Sequence, residues 1–448
     1  MKQNLMKRII AIALAAVMTV GTLAGCGASD GGTSAATTET AGTQEQAASG
    51  TESPPETEVS GDKIELTFWT LSTRQDAFEP MTEAFNESQD RIHVTCSFYD
   101  TDGIKDACKV AAQSGALPNM WFNWGGSLGG YYAENGCTYD LTEYAKEHNW
   151  ADSFNSGAIS LCTLNDQLCG YPTSYNVLGM YYRQDIFKQY GIEVPTTFEE
   201  FENACATLKE NGITPISTAG LYGWHVMRLV EQFIEYYAGA NEHDSMNEFQ
   251  TSWNNEDVIK ALEKYSEFCE KGYFPDGFLT ADPNDTLLAL GSGTAAMDIQ
   301  GQWYDGTINT EGLSMDLFGW FPFPNETGRM SAFAEMTQFN ANNSREQLDA
   351  CIEYMDYCYS QENVDQYSSY YNLPLPKAGA VMPEGQPHVE EMINNSAEHG
   401  TFTITDQAFP TEVADVLFSA QDAICNGTMT PEEAASNIQT AIESYTSK

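Results

Sequence analysis

Between Ile64 and Trp124 the chain alternates apolar runs of strand length with amphipathic helical stretches, and this alternation constrains its fold more than any other feature. "KIELTFWT" reads as a buried strand, Ile64 to Trp69. "DAFEPMTEAFNE" places Phe78, Met81 and Phe85 at helical spacing, "IHVTCSF" is a second strand, and a helix is predicted over residues 103–114. "PNMWFNW" is a third strand. Strands alternating with helices predict an α/β chain with a parallel sheet of βαβ units. Ligands of such sheets lie beyond the carboxyl ends of the strands, where Trp69 and Trp124 fall. Trp121, inside the third strand, is expected in the core.

Later segments carry their own punctuation. In "PTTFEEFENACATLKENG", Thr197 and Glu200 form a capping box, Phe198, Phe201, Ala204 and Leu208 make an apolar stripe, and Gly212 stops the helix. The last helix opens with Thr430 as N-cap, Pro431 and Glu433, with Ala434, Ile438, Ala441 and Tyr445 as its buried face. In "SLCTLNDQLCG" a turn at Asn165-Asp166 would set Cys162 opposite Cys169 across a hairpin, either as a disulfide or as two buried free thiols, the second being favoured. Cys351 and Cys358, seven apart on a predicted helix, are about 10 Å apart and too distant to bond.

The first 25 residues have a basic start (Lys2, Lys7, Arg8), an apolar run from Ile9 to Val20, and small residues leading to Cys26. This is the pattern of a signal peptide, too short for a spanning helix. Leu23-Ala24-Gly25-Cys26 resembles the bacterial lipobox, which implies that the mature chain starts at Cys26 and is held to the membrane by lipid on that thiol. Residues 26–62, rich in Gly, Ser, Thr, Ala, Gln and Glu and without an aromatic residue, are expected to be a flexible linker.

The formal charge of the 448-residue chain is −44, and removing residues 1–25, with three bases and no acid, would take it to −47. That excess argues against nucleic-acid or anionic-lipid partners, which need basic surfaces. The 11 cysteines include no C-x-x-C pair and the six histidines lack metal-ligand spacing, so neither a metal nor another cofactor is expected.

Six segments in order resemble the family-1 extracellular solute-binding proteins of ABC importers, particularly the sugar-binding lipoproteins. They are "ELTFWT", "SGALPNMWF", "LCGYPTSYNVLGMYYRQDIFKQYGIEVPTTFEEFENACATLKENGITPI", "LALGSGTAAMDIQGQW", "FGWFPFPNETG" and "NGTMTPEEAASNIQTAI". One departure is "PNMW", where the family often has Pro-Asp. The resemblance implies a two-lobed periplasmic-binding-protein-like fold (type II), lobes joined by crossing strands around a ligand cleft. By analogy the crossings fall near 172–174, 332–335 and 372–374. The domains are then a signal peptide (1–25), the lipidated cysteine and linker (26–62), an N-terminal lobe (63–172 and 333–372) and a C-terminal lobe (173–332 and 373–448). It implies a monomer on the outer face of the bacterial cell membrane that captures a carbohydrate by hinge closure for the importer's permease subunits, with no covalent chemistry.

A sugar offers apolar C–H faces and a rim of hydroxyls, so its site needs flat aromatic platforms and fixed polar groups. Trp303 is the first candidate platform, since the family's Gly-x-Trp places a ring in the cleft, followed by Trp124, Tyr175, Trp69 and Trp224. Glu335, Asn123, Gln302, Asp406 and His225 are the candidate polar partners, with Asp76 a weaker one. The segment 220–254 matches no pattern and is expected to carry specificity. A polyamine or ferric iron is the alternative ligand in the same fold, adjacent tyrosines such as Tyr181-Tyr182 being the iron argument. A surface glycosidase would need two carboxylates about 5–10 Å apart across a cleft, and acids are too widespread here to point to one.

Overall fold

The computed structural model describes residues 63–377 and 379–447. Cys26, the signal-like segment and the linker therefore lie outside the described residues. Strand β1 (Ile64–Leu71), helix α1 (Gln75–Ser88), β2 (Ile92–Tyr99), α2 (Thr101–Ser114) and β3 (Met120–Trp124) follow the predicted alternation, and β1 pairs in parallel with both β2 and β3. Helix α2 starts two residues before its predicted start, because the Asp100 side chain caps it by accepting from Gly103 N. Helix α3 (Gly126–Glu134) leads to a short hairpin, Thr163–Leu164 with Gln167–Leu168, turned by Asn165 (φ 50°) and Asp166 (φ 63°). Both central residues have positive φ, as a two-residue hairpin turn of this hand requires. Cys162 and Cys169 flank it as buried free thiols, and Cys351 and Cys358 are free as well.

The sheet continues through β4 (Tyr171–Arg183), then α4 (Phe198–Glu210), β5 (Thr214–Ile216), α5 (Trp224–Asn247), α6 (Glu256–Glu270), β6 (Ala295–Gly301), α7 (Trp303–Thr310), β7 (Phe318–Phe321) and β8 (Met330–Phe339). Helix α8 (Arg345–Cys358), β9 (Thr401–Thr403), α9 (Thr405–Ala408), α10 (Thr411–Cys425) and α11 (Pro431–Thr446) complete the elements needed here. Both predicted capping boxes form, Thr197 with Glu200 and Thr430 with Glu433. Ala434 and Ile438 are buried in α11 as expected, but Ala435 and Ile442 complete its buried face, with Ala441 and Tyr445 only half-buried.

The nine strands order as β2-β1-β3-β8-β4-β6-β5, with β9 beside β8 and β7 beside β4. The sheet is mixed rather than all-parallel, because β8 runs antiparallel to both β3 and β4, and β4 antiparallel to β6. These two long strands join two hydrophobic cores. Leu66, Phe68, Phe78, Phe85 and Tyr354 belong to one, and Phe201, Phe233, Trp253, Tyr265 and Phe268 to the other. Strand β4 gives Tyr171 to the first core and Leu178 and Met180 to the second. Strand β8 gives Met336 and Phe339 to the first and Phe333 to the second. Every residue of β8 is buried, so its sequence shows no in–out alternation, and Ser331, Glu335, Thr337 and Gln338 are buried along with its apolar residues.

Candidate functional site

Four elements converge where the two cores meet. Helix α2 supplies Thr101 and, one turn on, Lys105. Strand β3 ends at Trp124. Helix α5 begins with Trp224 and repeats its face at Arg228, four residues later. The short α9 brings Asp406 and Gln407. That last piece is held from several sides: Thr405 donates through N (3.0 Å) and Oγ1 (3.1 Å) to the Glu231 carboxylate, Gln407 Nε2 donates to Ala334 O (3.1 Å), and Ser127 Oγ donates to Asp406 O (3.2 Å).

The cations lie on indole faces. Lys105 Nζ stands 4.9 Å from the Trp124 ring centroid and 5.6 Å from that of Trp224. The Arg228 guanidinium is 4.6 Å from Trp224 and 5.3 Å from Trp303. Such placement is favoured by the ring quadrupole, more strongly when desolvated. Trp303 in turn packs on Phe333 with centroids 5.5 Å apart. Only glycine fits at 301 beside it, since a Cβ there would lie 1.9 Å from the Trp303 ring.

Arg228 is only 8% exposed and donates from Nη1 to Gln300 Oε1 at 3.1 Å. Among the described residues no carboxylate lies within ion-pair distance of it, and its Nε and the Trp224 Nε1 have no acceptor. Burial pulls the Arg228 pKa down to about 10, against the pull of Asp406, Asp298 and Glu231. Asp406 faces the same space. Burial raises its pKa, opposed by the positive charges of Lys105 and Arg228. No described side chain donates a hydrogen bond to its carboxylate. Lys105 Nζ is taken by Asp102 Oδ1 at 2.9 Å, whereas Arg228, Trp224 and Asp406 stand around a gap without satisfying one another.

That gap has two parts. A chamber of about 50 Å³ is lined by Trp124, Trp224, Arg228, Phe333, Ile404 and Asp406, among others. It adjoins a cavity of about 790 Å³, with Tyr131, Tyr222, Phe249 and Phe418 on its walls; the two share Lys105, Leu128, Trp224, Asp406 and Gln407. A volume of this order suits a small molecule.

Of the residues singled out from sequence, Trp124, Trp224 and Asp406 meet on these walls. Trp303 stands one layer back, behind Arg228. Asn123 reaches the larger cavity, but its Nδ2 donates to Gln338 Oε1 (2.8 Å) and its Oδ1 accepts from Trp124 N (2.8 Å). The others lie elsewhere. Gln302 is fully buried, accepting from Val177 N and donating to Tyr175 O, both at 2.8 Å, so it completes strand pairing. His225 is fully buried among Thr218, Gln300 and Asp298. Tyr175 spends its hydroxyl on Thr401 Oγ1, 3.0 Å away, and Trp69 packs on Tyr99 at 5.2 Å. Glu335 is bound by Arg74, Ser174 and Asn372. Asp76 is exposed, beside Tyr370. The segment 220–254 gives Tyr222, Trp224, Arg228 and Phe249 to the walls. Sequence reading missed Lys105 and Arg228. The signal for Arg228 was its four-residue spacing from Trp224 at the start of a helix. Lys105 gave none, since a lysine on an amphipathic helix ordinarily faces water. No group of three or more His, Cys, Asp or Glu among the described residues is arranged to hold a metal.

Two joined α/β cores with a polar, aromatic-walled cavity between them define a solute-binding architecture. The profile of the bacterial extracellular solute-binding proteins matches residues 80–390, and the chain belongs to that family. Among curated proteins it is 24% identical over 278 residues to the multiple sugar-binding protein of Streptococcus mutans, covering 59% of this chain and 63% of that protein. It is 27% identical over 159 residues to the melibiose/raffinose/stachyose-binding protein MelE of Bacillus subtilis, covering 34% and 35%. The chain thus matches less than two thirds of the length of these relatives. Among solved structures it is similar to a chitin oligosaccharide binding protein (TM-score 0.79, 21% identity, 87% of this chain and 100% of that one). It is also similar to the maltose/maltodextrin-binding domain MalE of Bdellovibrio bacteriovorus bound to maltotriose (TM-score 0.70, 17% identity, 86% and 100%). At these identities the likeness establishes the fold.

Proposed function

We propose that this chain is the substrate-binding component of an ABC importer, capturing an oligosaccharide outside the cell and delivering it to the membrane permease. The observation that carries the reading is the pair Arg228 and Asp406, unpaired with each other and framed by Trp124 and Trp224, with Lys105, held by Asp102 at 2.9 Å, beside them. Neighbouring sugar hydroxyls both donate and accept, so one ring can join Asp406 to the cations while its C–H face lies on an indole. The larger cavity, with aromatic groups along its walls, has room for further rings. Relatives named for sugar binding support the same reading. Ligand entry and release need the lobes 63–172 with 333–372 and 173–332 with 373–448 to move about the crossings, the closed form being the one a permease recognises. No covalent step is involved. Lipid on Cys26 would keep the body near the permease, a role for which the small-residue approach to that cysteine is the support.

A thermal-shift screen of the protein lacking residues 1–25 tests this, using mono- and oligosaccharides, polyamines and ferric complexes. A ligand of the native state raises stability by about 2.7 kcal/mol at a hundredfold excess over Kd. The expected result is a shift with one class of oligosaccharide, lost in Trp224→Ala. A shift with spermidine or ferric complexes and none with any carbohydrate overturns it.

A further inference from the structure

The smaller chamber has a size and chemistry of its own. Its 50 Å³ is a small fraction of the 790 Å³ of the adjoining cavity, so it receives a part of a ligand whose bulk lies in the larger space. It is therefore a place for a ring substituent of a few heavy atoms, opening from the cavity that takes the rings. Beside Thr101, Lys105, Trp124 and Gln407, its walls carry three kinds of group. Phe333, Ile404 and Leu128 are apolar. Arg228 and Trp224 carry N–H groups for which the protein provides no acceptor. Asp406 is an acceptor to which no side chain donates.

We propose that this chamber takes the acetamido group of a 2-acetamido sugar, an inference that rests on the carbohydrate reading above. An acetamido group has four heavy atoms. Its methyl suits the apolar surface of Phe333, Ile404 and Leu128, its carbonyl oxygen suits the donors of Arg228 and Trp224, and its N–H suits Asp406. Other common substituents fit less of the wall. A hydroxymethyl is two heavy atoms and leaves the apolar part empty. A carboxylate would satisfy Arg228 but faces Asp406 and has no apolar end. An ammonium suits Asp406 but meets the charges of Arg228 and Lys105. A buried polar group left unpaired costs more than a made hydrogen bond gains, so discrimination should follow from the sugar that pairs all three.

The experiment is titration calorimetry of the full-length protein with two β-1,4 trisaccharides that differ at C2, N,N′,N″-triacetylchitotriose and cellotriose, with maltotriose as a third probe. The acetylated sugar is expected to bind at least tenfold more tightly than cellotriose. Leu128→Phe, which places a ring at the chamber's edge, is expected to erase that preference, with an unchanged melting temperature showing that it folds. Equal affinity for the first pair, or tighter binding of cellotriose or maltotriose, overturns the acetamido assignment and leaves the carbohydrate reading standing. Binding of none of the three, with a shift by a non-carbohydrate ligand in the screen above, removes both.

Discussion

Glu335 Oε2 accepts three hydrogen bonds: from Arg74 Nη2 at 2.6 Å, Ser174 Oγ at 3.0 Å and Asn372 Nδ2 at 3.1 Å. Its neighbours come from separate parts of the chain, so this carboxylate ties β4 and β8 to the segment at 372. Removing one partner of a buried pair leaves the other charged and unpaired, so Glu335→Ala is expected to cost roughly 3–5 kcal/mol in urea unfolding. Replacing Arg74 by Met in the same chain should recover much of that loss. The sequence marked Glu335 as polar and near a crossing, which suited a ligand group equally well. Nothing local could show that Arg74, 261 residues away, would take it. Glu231 makes the complementary case. Burial raises its pKa to about 8, against the hydrogen bonds from Thr405, so in the folded protein it stays protonated where the unfolded chain has lost the proton. A raised carboxyl pKa means stability that is full below the unfolded value of 4.5 and declines as pH rises to about 8. Melting temperatures of Glu231→Gln across that range should fall less steeply than those of the unaltered protein. Parallel curves would show that another group sets the slope.

At the scale of elements, α3 and α9 meet where no side chain can stand between them. Gly126 opens α3 with φ +60°, and a Cβ there would lie 2.3 Å from Gln407 O. Alanine in this left-handed conformation costs about 1–2 kcal/mol before the clash is counted. Relief would come from moving α9, which carries Asp406. Gly126→Ala is thus expected to lower both the melting temperature and ligand affinity, whereas Gly115→Ala, with nothing near its Cβ at φ +69°, should lower only stability. Equal affinity in the two variants would argue that α9 does not set the site. The helices themselves were legible, because caps such as Thr197 with Glu200 and stripes such as Phe198–Phe201–Ala204–Leu208 are local signals. The path of the sheet was not. Strands β4 and β8 are buried on nearly all positions of both faces and so show no alternation, a pattern equally consistent with parallel or antiparallel neighbours. The α11 register slipped for a similar reason: Ala441 and Ile442 are adjacent, and packing rather than periodicity decided that Ile442 goes in.

For the whole molecule, the two cores touch across the cavity mouth as well as through the strands between them. Thr101 Oγ1, on the side of the first core, donates to Asn284 Oδ1, on the side of the second, at 3.2 Å. This contact is exposed and is one hydrogen bond beside others such as Ser127 Oγ to Asp406 O, so it is worth little by itself. It nevertheless marks two positions that must separate if the mouth widens for a ligand of several rings, while the buried node at Glu335 stays intact. Cysteines at Thr101 and Asn284, joined by a short thiol-reactive cross-linker, would hold the mouth as it stands. Cys26 and the part-exposed Cys96, Cys137, Cys269 and Cys425 are first replaced by serine, leaving the buried native thiols unreactive. If entry requires the lobes to part about the crossings, the cross-linked protein should bind oligosaccharide at least a hundredfold more slowly in stopped-flow tryptophan fluorescence. Linking after the ligand is bound should slow release by a similar factor. Unchanged rates would mean that the ligand enters through a mouth that stays open, and hinge closure would then have no part in capture.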